Sequence, residues 1–529
     1  MFKLRKALFI VYKVCFAKIL GIIITLGDMV ISFPISMFAS FKTKKPLPPI
    51  TDELLLQAAS ILAKRIREKE ITSEKLVETF IARIKEVNPI LNAVVEDRFL
   101  TAIEEAKQID CVIKKDIYTV TELETKYPLF GVPITIKESL AVEGMSHNAG
   151  MICSRGKASE DADVVKKIKQ AGAIVLAVTN TPELCLDWEC YNKITGRTSN
   201  PYDNRRTSGA SSGGEAALIA SAASVIGLGS DALGSLRLPA HFCGIFSHKP
   251  TGLSVSIEGH LPISEEEVYR KVVCAGPMSR YSSDLPLLMR IICKDERREV
   301  LDLDRKVDFS RLTMFYIEDW DSELTHSVTS EIKQSIHETL RHFHKTYETK
   351  IRKWEHPELF RTTERCLVSL ISMTGVTDIF ENDPTKSPVM ELIRFALGLS
   401  NHTFYPICYL LLCRYLPIYD VQKIKNKVEA AEKIVSNALG ENGVIICPTF
   451  PVDAPFHRAL FTKSYDNVYM SVFNSLGFPA TVAPVGFSKK GLPFGLQIVG
   501  RPYSDRLTMA IAQEIEKAFG GWKAPELVT

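Results

Sequence analysis

S-G-A-S-S-G-G-E-A-A-L-I-A-S-A-A-S-V-I-G-L-G-S-D-A-L-G-S-L-R-L-P-A runs from Ser208 to Ala240. Glycine, alanine and serine dominate it. Small residues at this density let backbones approach closely and leave N–H groups free to face a ligand. Ser211, Ser212 and Ser235 are its candidate nucleophiles, and it contains no histidine, so a base must come from elsewhere in the chain. Gly209 to Gly213 matches G-x-S-x-G. The preceding Asn200-Pro-Tyr-Asp-Asn-Arg-Arg206 is no buried strand, however, so the strand–serine–helix elbow that this motif needs is not expected.

On either side of this stretch, apolar strands alternate with helices. Gly131 to Lys137 reads as a buried strand ending in a lysine, and Ala173 to Val178 as a second strand. Val164 to Ala171 reads as a helix, Gly214 to Ser221 as a helix of tiny residues, and Val225 to Leu228 as a short strand. Strands return at 443–448, 480–485 and 495–499, after mainly helical segments at 328–345, 358–373, 389–399 and 421–439. The expected fold is α/β: a mixed, largely parallel twisted sheet covered by helices on both faces. Nearer the N-terminus, Asp52 and Ser73 are expected to cap two amphipathic helices, the second stopped by Asn88-Pro89. A third is expected over 100–115.

Residues 1–45 differ. Ile19 to Phe38 is apolar over about a bilayer's thickness, interrupted by Asp28 and Pro34 and flanked by lysines. A single membrane helix is the expectation, with a monotopic insertion or a cleaved leader as alternatives. Residues 46–51 read as a stiff linker and 52–529 as the folded domain. Phe404 to Leu416 is a second apolar run. It reads as a buried helix or as a patch whose Tyr405, Tyr409 and Tyr415 suit a membrane interface.

The 529 residues carry a formal net charge of +3, too balanced to argue for nucleic acid. The 12 cysteines form no C-x-x-C pair, so no structural metal and no cofactor are expected. His337 and His342 are five residues apart on a helix, about 140° around its axis, and do not converge on one metal. What remains is serine chemistry with lysine. A buried lysine can be neutral and take a proton, and Lys137 at a strand end fits.

The Ser208–Ala240 pattern resembles the amidase signature family. Gly131-Val-Pro-Ile-Thr-Ile-Lys-Glu138, Thr179-Asn-Thr-Pro-Glu183, Gly196-Arg-Thr-Ser-Asn-Pro201, His248-Lys-Pro-Thr251, Cys447-Pro-Thr449 and Gly491 to Gln497 extend the likeness over roughly 52–520. With its apolar N-terminus the chain is similar to the branch that hydrolyses fatty-acid amides. The resemblance implies a membrane-bound serine hydrolase acting on long-chain, lipid-like amides. Lys137 would be the base, Ser211 the relay, and Ser235, 24 residues on, the nucleophile that forms an acyl-enzyme. Ser212 and Arg237 would support the site, and the backbone of Ala232, Leu233, Gly234 and Ser235 would form the oxyanion hole. Where the family has D-x-G-G-S, this chain has Asp231-Ala-Leu-Gly-Ser235, with leucine in place of a glycine. If that position needs positive φ, leucine costs about 1–2 kcal/mol. Alternative readings are an impaired amidase-fold protein that only binds lipid amides, and an amidase of another small amide such as glutamine. A homodimer and an endoplasmic-reticulum or lipid-droplet membrane are further expectations.

Overall fold

The computed structural model describes residues 28, 30–152, 156–320, 322, 324–360, 376–415 and 420–525. Strands β1 (Val94–Asp97), β2 (Pro133–Lys137), β3 (Ile174–Thr179), β4 (Tyr191–Asn192), β5 (Gly196–Arg197), β6 (Ile226–Asp231) and β7 (Phe246–Lys249) come first along the chain. They are followed by β8 (Cys274–Ser279), β9 (Thr313–Tyr316), β10 (Lys350–Lys353), β11 (Gly443–Pro448), β12 (Ala480–Phe487) and β13 (Pro493–Gly500). Eleven of them form one sheet in the order β1-β3-β2-β6-β8-β7-β12-β13-β11-β9-β10, while β4 and β5 pair separately.

The sheet is mixed, as expected, but not largely parallel. Only β2·β3, β2·β6, β9·β11 and β9·β10 run parallel. The other six neighbouring pairs are antiparallel. Strand direction depends on how the chain returns between strands, which apolar patterning does not record. The short 488–492 connection, for instance, can only place β13 antiparallel to β12. β2, β3, β6, β8 and β11 are buried along their whole lengths, as strands covered on both faces must be.

Helices form where the apolar spacing predicts them, but their caps differ. Asp52 caps a short 3₁₀ turn (Glu53–Leu56), not the helix Ala59–Arg67. That helix is capped from across the fold: both carboxylate oxygens of Asp284 accept its first N–H groups, from Ala59 at 2.9 Å and Ser60 at 3.1 Å. The next helix starts at Ser73 behind Thr72 and continues past Pro89 to Leu91. The helix expected over 358–373 falls mostly outside the described residues.

The N-terminal membrane helix finds no support. Residues 1–27 lie outside the described residues, and among those described no helix is long and apolar enough to cross a membrane. Residues 30–40 are helical, and Asp28, in the middle of the expected span, is tied to the folded body. Lys463 Nζ donates to it at 2.6 Å, and Thr462 also bonds to it. The stretch expected as a linker is also pinned down, since Leu47 is buried and the carbonyls of Pro48 and Pro49 accept from Arg83.

Candidate active site

The parallel pair β2·β6 brings two strand ends together. Lys137 closes β2, while Ser230 and Asp231 close β6. The all-buried helix Gly213–Ala220 packs against both strands. Glycine lets its first turn sit close to the chain that follows β3: a Cβ on Gly214 would meet the Asn180 backbone N at 2.5 Å. The loop before this helix therefore reaches Lys137. Lys137 Nζ lies 2.6 Å from Ser211 Oγ and 2.8 Å from Ser230 Oγ. The Ala210–Ser211 peptide is cis. The next residue, Ser212, donates its N–H to the Ser235 carbonyl at 3.2 Å, tying the Ser211 loop to the Ser235 loop. Lys137, Ser211 and Ser212 are fully buried, and Ser235 alone keeps 6% of its surface exposed.

Asp231 organises the loop that carries Ser235. Arg237 grips it with two hydrogen bonds of 3.0 and 3.1 Å, and Asn474 adds a third donor at 2.8 Å. Burial alone would raise this carboxyl, but Arg237, Lys249 and Asn474 together outweigh it and hold it well below the usual carboxylate range. Its oxygens also accept the N–H groups of Gly234 at 2.7 Å and Leu236 at 3.1 Å. The Gly234 N–H is therefore committed to Asp231 and is not free for an oxyanion, contrary to expectation. Among the described residues the amides of Ala232, Leu233 and Ser235 have no protein acceptor. Arg237 reaches on to the Met470 carbonyl and Gln497 at 3.0 and 3.1 Å, so it braces the loop from behind.

Leucine at 233 does not strain the loop. Leu233 is not among the residues with positive φ. The position that needs glycine is the next one: Gly234 has φ +117°, and a Cβ there would meet Met470 Sδ at 2.6 Å. The Leu233 side chain instead packs on the cluster of Tyr269, Val272 and Val273.

Two carboxyls near the lysine are pushed up by burial, Glu138 to about 7 and Glu215 to about 8. Glu215 takes hydroxyl bonds from Thr135 at 2.7 Å and Thr179 at 2.8 Å. Among the described residues no carboxylate oxygen lies within ion-pair distance of Lys137.

Sequence reasoning missed Ser230 and His260. His260 Nε2 lies 2.9 Å from Ser230 Oγ and its Nδ1 3.2 Å from the Pro262 carbonyl. Neither residue sits in a spacing that announces it: Ser230 reads as one more small residue, and His260 lies in a loop 30 residues away. His248-Lys-Pro-Thr251 is structural, with His248 and Thr251 both bonded to Asp505. His337 and His342 pair with different carboxylates, Glu318 and Glu514, as their angular separation requires.

The amidase family model matches residues 75–509. The chain is 37% identical over 511 residues to fatty-acid amide hydrolase 2-A of Danio rerio, covering 93% of this chain and 96% of the relative. It is 37% identical over 502 residues to fatty-acid amide hydrolase 2 of Homo sapiens, covering 92% and 93%. A solved fatty acid amide hydrolase, 21% identical, superposes with a TM-score of 0.71 over 89% of this chain and 87% of its own. A family model spanning most of the chain, and relatives at this identity over nearly their whole length, show that the chain belongs to the amidase signature family.

Proposed function

We propose that this protein is a serine amidase that cleaves long-chain fatty-acid amides at a membrane surface. The observation that carries the chemistry is the fully buried Lys137 Nζ, 2.6 Å from Ser211 Oγ, on a loop tied to Ser235. A serine hydroxyl is a weak nucleophile until a base takes its proton, and an amine among hydroxyl neighbours can be that base. Lys137 takes the proton of Ser211, and Ser211 takes that of Ser235. Ser235 Oγ attacks the amide carbonyl, and the N–H groups of Ala232, Leu233 and Ser235 receive the developing oxyanion. The proton returns from Lys137 through Ser211 to the leaving nitrogen, which departs as the amine. Water then attacks the acyl-enzyme, losing its proton along the same path, and the fatty acid leaves.

The substrate class rests on the relatives named above and on the apolar surface. Phe33 (71% exposed), Leu397 (68%) and Phe461 (47%) face outward from three neighbouring elements. Phe461 packs on Phe404 and Tyr405, at the start of the helix Phe404–Tyr415. That helix buries Pro406, Ile407 and Leu410 and exposes Leu412 and Tyr415, so it serves both the core and the surface. A cavity of about 780 Å³ under the N-terminal helix joins Ile35, Phe38 and Ala39 to Lys42, Lys45, Arg205 and Arg458. Apolar side chains beside Lys42, Lys45 and Arg458, with Arg205 paired to Asp203, suit the headgroup region of a bilayer.

Purified full-length protein, treated with a fluorophosphonate probe and offered a panel of acyl amides and glutamine, tests this reading. Labelling and hydrolysis are expected to vanish in Ser235→Ala and Lys137→Ala, with long acyl chains preferred. Unchanged labelling in Ser235→Ala overturns the nucleophile, and a preference for glutamine overturns the substrate class. Binding of long-chain amides without turnover would favour the inactive-binder reading.

A further inference from the structure

Lys137 has a second hydroxyl neighbour with no part in the proton path above. Ser230 Oγ sits 2.8 Å from Nζ, and the hydrogen bonds beyond it fix where its proton goes. His260 Nδ1 faces the Pro262 carbonyl at 3.2 Å. A carbonyl oxygen only accepts, so Nδ1 carries the ring proton. In a neutral imidazole that leaves Nε2 as a bare acceptor. Burial disfavours the imidazolium and keeps the ring neutral. Nε2 faces Ser230 Oγ at 2.9 Å, so the Ser230 hydroxyl donates to His260 and presents only lone pairs to Lys137.

This direction matters because a neutral amine has a single lone pair. Ser211 needs that lone pair to give up its proton. If the Ser230 hydroxyl could turn, it would donate to the same lone pair and compete with Ser211. His260 is held rigidly for the task, since the loop carrying it is clamped to the residues that follow Lys137. The Leu261 N–H donates to the Ser139 carbonyl at 2.8 Å, and the Ala141 N–H to the Gly259 carbonyl at 2.9 Å. Tyr269 donates to the same Pro262 carbonyl, fixing the far end of the chain of bonds.

We propose that His260 is a positioning residue which, through Ser230, reserves the lone pair of Lys137 for Ser211. The inference rests on the reading of Lys137 as the base. It makes His260 matter only while the Ser230 hydroxyl is present, which a merely structural histidine would not do.

The test is the rate at which a fluorophosphonate probe labels Ser235 in the full-length protein, with a melting curve for each variant. His260→Leu is expected to label about tenfold or more slowly. His260→Gln, which keeps a donor and an acceptor, is expected to recover most of that rate. In the Ser230→Ala background the same His260→Leu change is expected to cost less than about threefold, a non-additivity that reports direct coupling. Equal losses in both backgrounds, or wild-type labelling in His260→Leu, overturn the proposal. If His260→Leu does not fold, His260→Gln decides alone: a loss of more than about tenfold at an unchanged melting temperature overturns it, and a near-wild-type rate supports it. Lys137→Ala separates the two levels, because wild-type labelling there defeats the base reading itself and not only the role of His260.

Discussion

Asp231 has both carboxylate oxygens occupied by Arg237, Asn474 and backbone N–H groups, with no surface exposed. Phe33, Leu397 and Phe461, at the rim, leave large apolar surfaces open. The centre hides charge and the rim shows hydrocarbon, the reverse of the usual arrangement in both places. A buried ion pair tolerates no missing partner, because the remaining charge has neither water nor a substitute. An outward-facing apolar side chain contributes little to folding, so its presence points to what it meets outside. The centre is therefore expected to be sensitive to every atom, and the rim to be nearly silent in stability and audible in binding.

The hardest test of that contrast is Arg237→Leu. It leaves Asp231 charged and buried, and a loss of about 3–5 kcal/mol is expected in denaturant titration. A loss below about 1 kcal/mol would mean that water reaches the site.

Acidity provides the next test. Burial raises Glu215 from 4.5 to about 8 and Glu138 from 4.5 to about 7. The folded protein therefore holds these protons at pH values where the unfolded chain has released them. Their contribution to stability is full below pH 4.5 and is lost as pH rises towards 8. For Glu215 this amounts to about 5 kcal/mol. Melting curves at pH 5 to 9 are expected to show the fall, and Glu215→Gln is expected to flatten it. An identical slope in Glu215→Gln contradicts the assignment.

A smaller effect separates two adjacent residues. Gly234→Ala forces a Cβ onto Met470 at φ +117° and shifts the oxyanion loop. Amide turnover is expected to fall by about 10²-fold. Leu233→Gly relieves no strain and is expected to change turnover by less than about threefold, with about 2 kcal/mol of stability lost to backbone freedom and to the packing on Tyr269, Val272 and Val273. A large gain in Leu233→Gly would show that the leucine obstructs the site.

Smallest in the melt is the rim. Phe33→Ser and Leu397→Ser are each expected to alter stability by less than ~0.5 kcal/mol, and Phe461→Ser, which gives up its ring contacts with Phe404 and Tyr405, by about 1 kcal/mol. Together they are expected to weaken co-sedimentation with phospholipid vesicles severalfold. If sedimentation persists, residues outside these three hold the protein to lipid.

The legibility of the sequence follows the same division. β2, β3 and the helix Gly213–Ala220 were readable because segments buried on all sides are mostly apolar or small, with Lys137 and Glu215 the exceptions. Lys137, Ser211 and Ser235 were singled out by the resemblance to the amidase signature family, since a strand-end lysine or a serine in a small-residue run does not by itself announce a role. The cap on Ala59–Arg67 was not readable, because Asp284 supplies it from more than two hundred residues away. The antiparallel centre of the sheet was not readable either, since alternation and burial look the same in both strand directions.

The sequence by itself determined the α/β class, the strands that meet at the site, and the residue types available for amide chemistry. Burial and small size are written locally, one residue after another. The tertiary structure alone decided that Gly234 and not Leu233 carries the unusual backbone, and that Asp231 takes the Gly234 amide. It alone tied Asp28 to Lys463 and placed His260 behind Ser230. These are directional contacts between distant residues. Their distances, and the side on which each proton lies, exist only once the chain has folded.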